Sequence, residues 1–103
     1  MITWDEYFQV MAVLSWVFNK KLPVEVAVKV ADFIPLYEEK SSPFTEWQNE
    51  VLIKETDGEK QRILWNEKLK EKVEVPEPGF KFSELPLEFS PAEITLLRVV
   101  KMW

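Results

Sequence analysis

From Trp4 to Phe18 apolar residues recur every three or four positions, the period of a helix rather than a strand. Trp4, Phe8, Met11 and Phe18 form one stripe, which Tyr7, Leu14 and Val17 widen. Val13 and Trp16 fall outside any single narrow face. Ahead of the stripe, Thr3-Trp4-Asp5-Glu6 has the form of a capping box: the Thr3 hydroxyl can accept from the Glu6 amide, and the Glu6 carboxylate can reach back to the Thr3 amide. The pattern predicts a first helix over about residues 4–19. A helix that is apolar on more than one side is either central to its own domain or covered by another chain.

Lys21-Leu22-Pro23 breaks the pattern, and Pro23 suits the first position of a second helix. The segment from Val24 to Tyr37 carries two periods at once. Val24, Val26, Val28 and Val30 alternate with Glu25, Ala27, Lys29 and Ala31, as in a strand. Val26, Ala27, Val30, Ile34 and Tyr37 also sit at helical spacing. Pro23 at the start, the two alanines and the Glu38-Glu39-Lys40 ending favour a helix, which Pro35 must kink or end because it has no N–H for the Ala31 carbonyl.

Ser42-Pro43 restarts a helix as N-cap and first helical residue, with Phe44, Trp47, Val51 and Ile53 on its buried side. Thr56-Asp57-Gly58 marks a turn. A short fourth helix comes next, with Ile63, Leu64 and Leu69 inward and lysines outward. Between Val73 and Phe82 the period changes to two, around Pro78-Gly79 in a turn sequence. This segment reads as a small hairpin or an extended arm, and either must lie on the helices to be stable. Ser90-Pro91-Ala92-Glu93 then opens the last helix, residues 91–102, with Ile94, Leu97 and Val100 on one side and Leu96, Val99 and Trp103 broadening it. The expected fold is mainly α: four to five helices with a small extended or hairpin element near 73–82, in one domain over residues 1–103.

Composition narrows the chemistry. Hydrophobic residues make up 47% of the 103, enough for a core. His and Cys are both absent, which removes disulfides, the usual zinc sites, thiol nucleophiles and imidazole acid–base catalysis together. Only two glycines are present, Gly58 and Gly79, too few and too far apart for a phosphate-cradling loop. The formal charge is −5, with Arg62 and Arg98 the only arginines, which argues against a nucleic-acid backbone as direct partner. The longest apolar run, Val10–Phe18, is far below the ~20 residues of a membrane span. It comes after Asp5 and Glu6 rather than a basic leader, so the chain reads as cytosolic.

The order of motifs resembles that of small, uncharacterised helical proteins of tailed bacteriophages and prophages. Lys21-Leu22-Pro23-Val24 opens a long helix containing Lys29, followed by Glu38-Glu39, Phe44 and Glu46. Asp57-Gly58 precedes Asn66-Glu67, Glu71 and Val73-Glu74-Val75. Phe82-Ser83-Glu84-Leu85 and Ser90-Pro91-Ala92-Glu93-Ile94 with Leu96-Leu97 close the series. The likeness spans roughly residues 20–98 through short motifs, and departs from the pattern at Pro35 and Ser41-Ser42-Pro43, where an unbroken helix is expected. It implies a phage origin, in the host cytoplasm or on the virion, and carries no catalytic residues.

Candidate chemistry is correspondingly thin. Glu46 and Glu50 would share a helix face, as a carboxylate pair for acid–base work or a metal might, but acids near a helix N-terminus also suit its dipole on a plain solvated surface. Lys68-Leu69-Lys70-Glu71-Lys72 reads as a solvated helix with Glu67–Lys70 and Lys68–Glu71 pairs. Trp65 could stack under Arg62 or Lys68. Residues 1–53 carry eight acids against four bases, an imbalance that could imitate nucleic-acid phosphates, though the acids are dispersed.

Five tryptophans are the strongest positive signal, because indoles anchor interfaces as readily as cores. Trp47 reads as core. The expected partner-binding residues are Val13 and Trp16 on the first helix, Trp65 in a polar helix, Val75 and Phe80 on the extended arm, and Trp103. The expected activity is non-enzymatic, without a cofactor: docking onto a protein partner, itself or a virion or host protein, as an accessory of head or tail assembly. The alternative is inhibition of a host nucleic-acid enzyme by acidic mimicry or occlusion. A homo-oligomer fits the first reading; neither needs a membrane.

Overall fold

A computed structural model describes residues 1–103. The chain forms five α-helices, the first of them central. Ile2–Thr3 (β1) leads directly into Trp4–Phe18 (α1), followed by Val24–Glu39 (α2), Ser42–Trp47 (α3), Gly58–Leu69 (α4), Lys72–Val73 (β2) and Pro91–Val99 (α5). The expectation of a mainly helical chain holds.

The sequence signals at helix starts are realised in hydrogen bonds. Thr3 Oγ1 accepts from the Glu6 amide at 3.1 Å while the Thr3 amide donates to Glu6 Oε1 at 2.9 Å. Ser90 and Glu93 form the same reciprocal pair at α5, at 3.2 and 2.8 Å. Asp57 caps α4 by accepting from the Glu59 and Lys60 amides. Pro23 stands just outside α2, its carbonyl taking the Val26 and Ala27 amides. The valine-alternating segment is therefore helix, and α2 runs on through Pro35 to Glu39. The helix starts at Ser42, the expected cap, one residue before the expected first helical position, so that Ser41 is the N-cap and Pro43 lies in the first turn.

α1 is the central element, in contact with α2, α4, α5 and the small sheet. Its buried line is Trp4, Tyr7, Val10, Val13, Leu14 and Val17. Phe8 and Phe18, placed on the main stripe by spacing, stand at the margin and outside, Phe18 with 63% of its surface open. A helix apolar over most of its circumference does not announce which arc faces inward. The arc chosen here places the aliphatic and tyrosine line between α2 and α5.

The extended element differs from a 73–82 hairpin. β2 pairs antiparallel with β1, Ile2 opposite Val73 and Thr3 opposite Lys72, and the Trp4 amide extends the contact to the Glu71 carbonyl at 3.0 Å. The return segment does not pair with it. Phe80 and Phe82 are instead driven into the core, and Phe82–Glu84 makes one 3₁₀ turn whose amides reach the Met102 and Trp103 carbonyls. A strand pair between the two ends of the α1–α4 unit buries Ile2 and Val73, which a free hairpin could not do.

Three further expectations are corrected. Beyond α3 the backbone widens into a π turn, Gln48–Leu52, closed by the Ile53 amide on the Gln48 carbonyl at 2.9 Å. The extra residue in the turn rotates Val51 away from the core, to 43% exposure, and half-buries Leu52 in its place, while Ile53, two positions further round the helix, faces solvent at 66%. In α4, Ile63 faces solvent while Leu64, Trp65, Lys68 and Leu69 make the inner side. α5 ends at Val99 rather than at the expected residue 102; Leu97 within it and Val100 just beyond it are buried, and Val99 is exposed.

All nineteen buried residues are hydrophobic, and they form one cluster. The molecule is nevertheless long, 49 × 25 × 22 Å, with a Cα radius of gyration of 15.5 Å against about 13 Å for a compact domain of this length. Its accessible surface is 6920 Å², where about 6100 Å² is usual at this mass.

Candidate protein-binding surfaces

The partner-binding residues expected from sequence separate into buried and half-open sets. Val13 and Phe80 are corrections: they are 6% and 5% exposed and belong to the core. Phe80 meets Phe33 edge-on at 5.8 Å and Phe82 at 5.3 Å, so the arm is pinned by an aromatic side chain whose spacing predicts that it projects. Val75 is half-buried against the main cluster.

Trp16, Phe89 and Trp103 make a row of edge-to-face rings, with 5.6 Å between Trp16 and Phe89 and 5.6 Å between Phe89 and Trp103. Trp103 is half-buried in this row, and its carbonyl accepts from the Ser83 amide and hydroxyl. Trp16 keeps 36% of its surface, with the Lys20 ammonium 4.9 Å from its ring centroid. Beside it lies a shallow depression of about 430 Å³ between α1 and α5, lined by Gln9, Ala12, Ala92 and Leu96.

Trp65 is half-buried in a second aromatic group, edge-on to Phe44 at 5.3 Å and 6.4 Å from Trp47. The expected cation over Trp65 sits elsewhere. Lys68 lies 5.5 Å from the Trp47 centroid and pairs with Glu71 at 2.7 Å, while Arg62 pairs with Glu59 at 3.0 Å.

The surface that sequence reasoning missed is the outer side of the α1–α2 hairpin. The hairpin is fastened by two tyrosines that exchange hydrogen bonds: Tyr7 Oη donates to the Tyr37 carbonyl at 2.6 Å, and Tyr37 Oη to the Tyr7 carbonyl at 2.7 Å. Their rings stack at 4.4 Å and 9°. Burial pushes the Tyr7 phenol up to about 12, with Glu38 adding to the rise and Ser41 opposing it. Burial, then Tyr7 itself, raises Tyr37 further. Both therefore stay neutral donors, which is what the reciprocal bonds require.

Further along the hairpin lies a groove of about 350 Å³, with Met11, Ser15 and Phe18 on one wall and Ala31, Ile34 and Pro35 on the other. Beside the groove the outer stripe of α2 continues through Val24 and Val28, 78% and 55% exposed. The signal was present in the alternating valines. Read on a helix, alternation sends Val26 and Val30 to one face and Val24 and Val28 to the opposite one.

Glu46 and Glu50 are both exposed, and no group of three or more His, Cys, Asp or Glu residues is arranged to hold a metal ion. No helix is long and apolar enough to cross a membrane. No protein-family model, curated protein or solved structure matches the chain.

Proposed function

We propose that this chain is a non-catalytic docking protein of a tailed phage or prophage, acting in the host cytoplasm or on the virion as an accessory of head or tail assembly. The observation that carries the docking part is the apolar surface left open on both outer sides of the central hairpin. Phe18, Val24 and Val28 are each more than half exposed, beside the apolar groove between α1 and α2. Single exposed apolar residues are ordinary, but a continuous stripe beside a groove is the usual mark of a surface that a partner covers. Trp16 and its shallow depression offer a second contact on the other flank of α1. The phage origin rests on the resemblance of residues 20–98 alone.

The test is affinity purification of the full chain from phage-producing cells, with identification of what accompanies it. An assembly accessory co-purifies with virion proteins in modest salt, and Phe18→Asp or Trp16→Ala releases them. Co-purification of a basic host nucleic-acid enzyme, released steeply as salt rises, would replace this reading with inhibition by acidic mimicry. A chain that stays monomeric and without companions throughout infection overturns both.

A further inference from the structure

We infer that the outer face of α2 receives a basic amphipathic helix from a partner protein. The inference rests on the docking reading and specifies its surface and the partner's chemistry.

Val24, Val28, Ala31 and Pro35 keep a four–three–four spacing, the spacing of the seam along which one helix meets another. All four are exposed. On a helix this seam lies beside Ala27 and Ile34 on one side, where α1 supplies the groove wall with Met11 and Phe18. On the other side lie Glu25, Asp32 and Glu39, one acid every seven residues, all exposed. The molecule's ion pairs are Arg62–Glu59 and Lys68–Glu71, so none of these three acids is engaged. Lys29 stands between Glu25 and Asp32 but forms no ion pair with either, and an apolar seam with a row of unpaired carboxylates along one edge fits a helix with an apolar stripe and Lys or Arg repeating every seven residues beside it.

Charge also separates this occupant from a second copy of the chain. Two α2 helices packed antiparallel on this face would set the acid row of one against the acid row of the other. Packed parallel, each row would be buried against Ala27, Ile34 and the α1 wall of the neighbour, leaving carboxylates without partners. A partner with basic flanks meets neither penalty.

The experiment titrates the isotopically labelled full chain with two synthetic helical peptides that share one apolar stripe, one flanked by Lys and the other by Glu. The Lys peptide is expected to shift the amides of residues 24–39 and Phe18, and to bind about tenfold or more tightly than the Glu peptide at low salt. Val28→Asp should abolish the shifts, and the combined Glu25→Lys, Asp32→Lys and Glu39→Lys chain should reverse the preference. All are exposed positions, and unchanged shifts in α1 and α5 of the free variants check the fold. Lys-peptide shifts spread over other surfaces, or a preference that survives the charge reversal, overturn the proposal. So does a dimer in sedimentation that Val28→Asp dissolves, which would assign the face to a second copy. If a captured virion protein is lost with Trp16→Ala but kept with Val28→Asp, the docking reading stands and this face is the wrong one.

Discussion

Tyr7 and Tyr37 show how a single pair of polar atoms can be worth burying. Each hydroxyl would be costly without a partner, and each finds a carbonyl on the opposite helix; the Tyr37 carbonyl lies near the α2 C-terminus, where helical acceptors run short of donors. Replacing either tyrosine by phenylalanine should cost about 1 kcal/mol, read from denaturant unfolding. The raised phenols also set a pH limit. The unfolded chain gives up these protons near 10.0 and the folded chain holds them longer, so the stability they supply is complete below pH 10 and is lost as pH rises through about 12 for Tyr7 and beyond for Tyr37. Unfolding curves should weaken progressively above pH 10, and a double Phe variant should show a flatter loss; an identical slope would remove the tyrosines as the cause. Lys101 makes the opposite case. It sits at φ 61°, where α5 ends with the Met102 amide on the Leu97 carbonyl and the Lys101 amide on the Arg98 carbonyl, a closure that usually takes glycine. Lys101→Gly should raise stability by about 1 kcal/mol, roughly 4–8 °C in Tm by calorimetry.

At the scale of elements, α2 and the α3 extension explain both what the sequence made legible and what it hid. Caps were readable because they are local: Thr3 with Glu6 and Ser90 with Glu93 need only their own side chains and the first turn. The inward face of α1 was not, because Phe8 and Phe18 are as apolar as Tyr7 and Val17 and only the positions of α2 and α5 choose between them. The partner of β2 was unreadable for the same reason: Ile2 lies seventy-one positions from Val73, and no local pattern links them. At the candidate surface, Trp16 was found because it lies off a stripe, whereas Val24 and Val28 were hidden by an alternation that looked like a strand. The π turn is the clearest case. A normal turn would have carried Val51 inward with Phe44, and the additional residue turns it out; Ile53, two positions on, lies on the far side of the helix and is 66% exposed. Ile53→Asp should therefore change stability by no more than about 0.5 kcal/mol, as at other surface sites, where Phe44→Ala should cost roughly 3–5 kcal/mol. Equal losses from the two would place Ile53 inside after all.

Over the whole molecule, length and uneven burial go together. The core collects around α1, and the unit of α3, the π turn and α4 extends from it with one fully buried side chain, Phe44. α4 itself buries none completely; it is held by Trp65 and Leu69 at its inner side, by the Gln61 amide nitrogen on the Leu52 and Glu55 carbonyls, and by the strand pair that comes after it. Helices short of buried apolar contacts owe little of their stability to packing, and a twelve-residue helix is marginal by itself in water. α4 should consequently open without unfolding α1. Native-state hydrogen exchange is expected to release the amides of Ile63–Lys68 at a free energy well below that of Val13–Val17, with the α1 amides exchanging only on global unfolding. If both sets exchange with one free energy and one denaturant dependence, the extended unit and the hairpin core are a single cooperative body. The proposed docking face on α2 would then draw its rigidity from the entire chain rather than from the Tyr7–Tyr37 hairpin beneath it.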